Sequence, residues 1–311
     1  MEKSDILKTF KFGLLFTVLV VQLDFSIGLG MKQLYFSQKS GKFARLTTTI
    51  YGNSSEILIM GSSRANRHYV SEIFEKVLGQ STYNAGVQGQ KLVFQRALQK
   101  IVLSRYFPKT IILNLDEEWL EYDQENYERL SDLNPYYWDF RNELEPVFSL
   151  GSSFVDLKLL PNTFRYNSTF LHILNYSIFP QRDFLGYRPL YGGVKVLKSK
   201  IPKKPSEKAL DPILVTLFRD FIESAKREKI NLVFVISPEL YKKTLNNDSK
   251  SMLTMKMIAK DNEIPLFDFR NTEQFLRKKE LFFDDIHLND KGSRMFTEMT
   301  LDSLKSLDLN E

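Results

Sequence analysis

Cysteine is absent from the 311-residue chain. That excludes disulfides, thiolate metal sites, a cysteine nucleophile and a lipid-modified N-terminal cysteine together, and it leaves the compartment unreadable from redox chemistry. Histidine is scarce, with three in all, so any imidazole chemistry falls to His68, His172 or His287. A strong charge of one sign is also missing, since 43 Lys and Arg stand against 38 Asp and Glu for a net +5. The densest basic cluster, "KVLKSKIPKK" at 195–204, lacks the regular aromatic interleaving that stacks on bases. It reads as weak attraction to anionic surfaces and not as nucleic-acid recognition. No Gly-rich phosphate loop follows the first strand candidate, which disfavours a flavodoxin-like nucleotide binder. What remains is an ordinary globular composition, 43% apolar and 26% charged, long enough for one large domain or a domain with an extension.

The extension is at the front. "FGLLFTVLVVQLDFSIGLGM" (12–31) matches the roughly 20 residues that a bilayer-spanning helix needs. Gln22 and Asp24 are its only strongly polar members, and Asp24 lies toward the C-terminal third, where a carboxylate costs less than at mid-membrane. An uncleaved anchor is favoured over a cleaved signal peptide starting at Lys3, Lys8 and Lys11 and cut near Ser26 or Gly28. The expected arrangement is a cytoplasmic tail (1–11), a single transmembrane segment (12–31), a linker (32–53) and a main domain (54–305) outside the membrane, periplasmic in a bacterium. Lys32, Lys39, Lys42 and Arg45 follow the segment as closely as the three lysines precede it, so orientation rests on the default for a short N-terminal tail.

Past the anchor, short apolar runs alternate with amphipathic stretches, as in βαβ units of a parallel sheet. Strands are predicted at 56–61, 81–86, 110–116, 231–237 and 264–269. Helices are predicted at 71–79, 91–106, 206–229, 249–262 and from about 290 to 307. The fold class is therefore α/β: a three-layer α/β/α sandwich on a parallel sheet of about five strands. Residues 118–205 break the rhythm with an insertion rich in Tyr, Phe, Trp, Asn and Pro, too long for a crossover. Its aromatic residues suit either sugar faces and polar rims or a satellite cluster packed on the core.

Two stretches carry chemistry. "EILIMGSSRANRHY" (56–69) ends a buried strand on Gly61, Ser62 and Ser63, and ligands of open parallel sheets sit at the carboxyl ends of strands. A glycine there lets the backbone turn sharply into a helix. Taken alone, the same residues describe a turn with a helix cap at Ser62 or Ser63. The second stretch, "LFFDDIHLNDKGSRMF" (281–296), puts Asp284 three residues before His287, a spacing that lets the carboxylate hold the imidazole's tautomer and orientation. His287 also fits a cap at a helix start, and the catalytic reading is preferred because a serine and an Asp-x-x-His occur together. His68 is expected on the surface of the first helix, and His172 is expected to pack in the insertion or face solvent.

"ILIMGSSR", "YNAGVQGQ" and "FFDDIHLNDKG", in this order on this α/β pattern, resemble the blocks of the SGNH hydrolase superfamily, the GDSL esterases. The likeness is nearest to a membrane-anchored bacterial branch whose first block reads Gly-Ser-Ser-Arg. It runs from about residue 54 to 303, most of the insertion excepted. The resemblance implies Ser63 as nucleophile, His287 as general base and Asp284 as its orienting acid, with the N–H groups of Ser63 and Gly89 holding the oxyanion. The third block departs from the family: where an asparagine usually donates to the oxyanion, this chain offers "LNLDEEW" (113–119). Asp116 stands near the expected position, and Asn114 takes it if the register moves by two along the same strand face. A donor worth roughly 2.7–4 kcal/mol in the transition state is at stake.

The function implied is that of a serine esterase or acyltransferase working on O-acyl, chiefly O-acetyl, esters of cell-envelope polysaccharide through an acyl-serine, without metal or organic cofactor. Arg64, Tyr187 and Arg188 are the candidate substrate-binding residues. The alternative is an inactive accessory protein of the same fold that binds a glycan or a membrane acyltransferase partner, a reading that the altered third block supports.

Overall fold

The apolar runs form strands β1 (Ile57–Met60), β2 (Thr82–Asn84), β3 (Thr110–Asn114), β4 (Asn231–Ile236) and β5 (Leu266–Asp268). In the computed structural model, which describes residues 3–193, 208–241 and 248–307, they make one five-stranded sheet in the order β2-β1-β3-β4-β5. Every pairing is parallel. The basic cluster at 195–204, the end of the insertion and the first two residues of the helix expected from 206 lie outside the described residues.

The helices are α1 (Lys3–Phe36), α2 (Gly41–Thr47), α3 (Ser63–His68), α4 (Ser71–Leu78), α5 (Leu92–Leu103), α6 (Gln124–Glu128), α7 (Arg141–Phe148), α8 (Val155–Lys158), α9 (Phe170–Ile178), α10 (Pro212–Arg227), α11 (Lys250–Asp261) and α12 (Asp290–Lys305). Successive strand side chains point to opposite faces. Leu58, Met60, Ile111, Leu113, Leu232 and Phe234 join a large core with residues of α5, α10 and α11. Ile57, Ile59, Ile112, Val233 and Val235 join a smaller one with Phe74 of α4 and Phe296 and Leu301 of α12. The central strands β1, β3 and β4 are thus covered on both sides, which is why their sequences are continuously apolar.

Two expectations change. Residues 32–53 are not a linker: α1 runs on to Phe36, α2 follows, and a widened helical turn spans Thr48–Gly52. Tyr35, Phe43, Leu46 and Ile50 are buried in the large core, because the 43, 46, 50 spacing puts three apolar side chains on one helical face. The described part of the insertion is also mostly packed. Trp119, Tyr136, Tyr137, Tyr166 and Ile173 are buried in the same core, so its aromatic residues chiefly form the satellite cluster. The apolar segment 12–31 lies within α1 and is exposed almost throughout; α1 is long and apolar enough to cross a membrane.

Phe234 is fully buried, its ring 5.2 Å from that of Phe218. Phe234→Ala is expected to cost about 3–5 kcal/mol, read as a lowered denaturation midpoint of the purified chain.

Candidate active site

The first block is a strand-to-helix turn held from several directions. Gly61 has φ +139°, and a Cβ there would lie 2.9 Å from the Ala65 Cβ and 3.0 Å from the Asn114 carbonyl, so only glycine fits. The buried Gln95 side chain clamps it, accepting from Gly61 N (3.1 Å) and donating to Gly61 O (3.0 Å). Ser62 caps α3, its Oγ accepting from Arg64 N at 3.3 Å. Ser63 is the first residue of α3, a position whose N–H has no partner within the helix.

The last block comes to meet it. His287 Nε2 lies 2.8 Å from Ser63 Oγ, across 224 positions of sequence. On the other side of the ring, Nδ1 lies 3.0 and 3.1 Å from the two Asp284 oxygens. Asp284 Oδ1 also accepts from the backbone N–H of Ile286 (2.8 Å) and His287 (2.7 Å). Burial works against the Asp284 charge, but its bond to His287, the neighbouring imidazole and the two backbone donors outweigh it and hold the carboxyl at about 2. Ser63, His287 and Asp284 therefore form one chain of contacts in which the carboxylate stays ionised and fixes Nδ1 as the protonated nitrogen, leaving Nε2 to accept from Ser63.

His68 is the residue that the sequence misplaced. It is fully buried, not on the surface, and its Nε2 accepts from Leu288 N at 3.1 Å. Burial, then the charges of His287, Arg64 and Arg67, keep it neutral well below its ordinary range. It braces the loop that carries His287. Its place at the end of the short helix begun by Ser63 is the signal that could have found it. Asn84 is a second missed support: its Nδ2 donates to Ala65 O (2.7 Å) and Tyr69 O (3.0 Å), tying the second block to α3. His172 is exposed, stacked on Tyr176.

The remaining candidates divide. Arg64 stays at the site, with Nε 3.7 Å from Asp116 Oδ1 and Nη1 3.5 Å from Glu239 Oε1. Asp116 is beside it, where burial raises the carboxyl above its ordinary value against the opposing pull of Arg64 and a bond from Ser62. Asn114 is fully buried, its Oδ1 accepting from Tyr69 OH (2.8 Å) and from Ser237 Oγ. Its amide nitrogen contacts Leu115 O at 3.4 Å, so its side chain is taken up by the sheet and not by Ser63. Gly89, with φ +77°, stands in a turn where its carbonyl accepts from Arg129 Nη1 at 3.2 Å; among the described residues no hydrogen bond joins it to Ser63 or His287. Tyr187 is buried and donates to Asp290 Oδ1 at 2.9 Å, so it pins the insertion and does not present a binding face. The Arg188 N–H donates to Asn66 O at 3.0 Å. Arg67, Arg188 and Arg45 lie close together on this flank, and burial with the charges of the other two pushes the Arg67 guanidinium down to about 10. Among the described residues no group of three His, Cys, Asp or Glu side chains is placed to hold a metal.

Asp284 has a folded pKa of about 2 against 3.8 for the free side chain. Its contribution to stability is therefore fully present above about pH 4 and disappears as the pH falls toward 2. Asp284→Asn should lower stability at neutral pH, and the gap to the parent should close over that window in denaturant titrations.

No family model and no curated protein matches the sequence. Among solved structures, the chain is similar to an acetyl xylan esterase, AlAXEase, at 13% identity over 79% of this chain and 98% of that one, with a TM-score of 0.39. It is similar to a GDSL-like lipase from Bacteroides thetaiotaomicron at 12% identity over 81% and 88%, TM-score 0.36. An acetyl xylan esterase from the rumen bacterium Butyrivibrio proteoclasticus is 12% identical over 82% of this chain and 64% of that one, TM-score 0.38. At these identities and scores, what the site can do rests on its own geometry.

Proposed function

We propose that the chain is an SGNH-type serine esterase or acyltransferase acting on O-acetyl esters of cell-envelope polysaccharide. The observation that carries this reading is the 2.8 Å approach of His287 Nε2 to Ser63 Oγ with Asp284 on the opposite ring nitrogen, the arrangement that acyl transfer through serine requires. Ser63 Oγ attacks the ester carbonyl while its proton passes to His287 Nε2. The C–O bond to the alcohol breaks as His287 returns that proton to the leaving oxygen. Water or a sugar hydroxyl, deprotonated by the same nitrogen, then resolves the acyl-serine. Asp284 stays ionised and stabilises the imidazolium formed at each step. The Ser63 N–H, free of helix bonding, faces the oxyanion. The Gly89 N–H is the second donor in this scheme. Arg64, held between Asp116 and Glu239, borders the bound ester.

The anchor belongs to the same proposal, with α1 kept and the main domain on the extracytoplasmic side. Asp24 accepts hydrogen bonds from Asn162 and Thr163 of the insertion, and a cut near Ser26 or Gly28 would separate them. The accessory reading, with a glycan or a membrane acyltransferase as partner, draws on one observation: the Asn114 amide oxygen is held by Tyr69 and Ser237 and its nitrogen faces Leu115 O, an orientation that does not direct the amide donor at Ser63.

Full-length protein in detergent is expected to label with a fluorophosphonate and to release acetate from O-acetylated polysaccharide. Ser63→Ala should abolish labelling with a stability change within about 0.5 kcal/mol, and Asp284→Asn should slow turnover by on the order of 10⁴. Equal labelling of the Ser63→Ala protein and its parent would sink the hydrolase assignment and leave the accessory reading in its place.

A further inference from the structure

We infer that the insertion itself dips into the membrane: the segment joining α8 to α9, at Asn162 and Thr163, lies against the lipid acyl chains beside α1. This rests on α1 being the anchor proposed above.

The junction between insertion and anchor fixes the depth. Asp24 accepts from Asn162 N (2.7 Å), Thr163 N (3.0 Å) and Thr163 Oγ1 (2.5 Å). Gly28, one turn further along, lets the insertion backbone come so close that a Cβ there would lie 2.2 Å from the Asn162 Cβ. Asp24 precedes Met31, the last residue of the apolar segment, by seven positions, or about 10 Å at the 1.5 Å rise of a helix. A helix that crosses a hydrocarbon layer of about 30 Å with this segment therefore carries Asn162 and Thr163 below the layer's surface. The bonding fits that setting, since in hydrocarbon a carboxylate and backbone N–H groups must satisfy one another within the protein.

The apolar side chains next to this junction are exposed. Phe154, Leu157 and Leu160 are each more than 60% exposed and Phe164 is 42% exposed, whereas elsewhere in the domain large apolar side chains are mostly buried. Singly exposed apolar residues are ordinary, but these come from one segment packed on α1. Helix α9 leaves the layer again, since its Ser177 Oγ accepts from Gln38 Nε2 at 3.0 Å, beyond the end of the apolar segment. Phe154 has φ +61°, a backbone conformation that bulky residues rarely adopt, and the residue is 78% exposed. Trp138 is partly exposed with its Nε1 donating to Leu159 O at 2.9 Å, as suits an aromatic group at the rim of a bilayer. Continuity with α1 thus favours lipid over a protein as the occupant.

The absence of cysteine makes the test direct, because a single introduced thiol carries a fluorophore without competition. Leu160→Cys, Phe164→Cys, Leu14→Cys in α1 and Met257→Cys in α11 would each be labelled with NBD and reconstituted, as full-length protein alone, into phosphatidylcholine–phosphatidylglycerol vesicles. The expected result is that the probes at 160 and 164 follow the one at 14, losing most of their emission to doxyl-labelled lipid and little to iodide, while the one at 257 does the reverse. If the probe at 14 is lipid-quenched but those at 160 and 164 answer to iodide, the inference is overturned and the anchor stands; a patch reserved for a partner protein would give this result. Protection from both quenchers together with a cross-linked dimer would assign the face to a second copy and overturn it equally. Iodide quenching at 14 would remove the anchor itself.

Discussion

The docking of α12 on α3 is the constraint on which the rest of the site depends. Ser63 begins α3 and His287 lies just ahead of α12, so their separation is set by how these helices meet. Three buried hydrogen bonds fix that meeting: Ser293 Oγ to Arg67 O at 2.7 Å, Val70 N to Thr297 Oγ1 at 2.9 Å, and Leu288 N to His68 Nε2 at 3.1 Å. Each fills a polar group that would otherwise be buried without a partner, so a shift of either helix leaves several groups unsatisfied at once. Asn289 extends the lock by capping α12 through Gly292 N and donating to Glu280 O. The loop bearing His287 is therefore pinned on both sides of the imidazole.

The insertion connects this site to the anchor. At one end its Gly186 carbonyl accepts from Asn66 Nδ2 and its Arg188 N–H donates to Asn66 O, and Tyr187 reaches Asp290 of α12. At the other end it holds Asp24 of α1. One stretch of chain thus touches the helix that starts at the nucleophile, the helix that follows the histidine, and the apolar N-terminal helix. A rigid link of this kind sets the height and tilt of the cleft relative to whatever surface α1 enters, which a flexible linker would leave free.

The third block shows how a sheet can claim a residue that a motif assigns to chemistry. Asn114 ends β3 and sits under the turn at Gly61, where its side-chain oxygen is the common acceptor for Tyr69 and Ser237. Two residues on, Asp116 reaches the edge of the site beside Arg64. Burial favours its protonated form, the form in which a carboxyl group can donate a hydrogen bond.

The sequence by itself determined the five-stranded α/β plan, because strands buried on both faces must be continuously apolar, and it marked Ser63 and the Asp284–His287 pair as candidates, because Gly61 and the Asp-x-x-His spacing are local features; that the two come together was implied by the family resemblance and not by local pattern. It also marked Asp24 as out of place in an apolar helix. Only the tertiary structure decided the rest. His68 looks like a surface residue until Leu288 is brought over it, Tyr187 looks like a sugar-binding ring until Asp290 takes its hydroxyl, and 32–53 reads as a linker until Tyr35, Phe43, Leu46 and Ile50 find the large core. Each depends on a partner distant in sequence, and local pattern carries no information about which distant group will satisfy a buried polar atom or cover an apolar face.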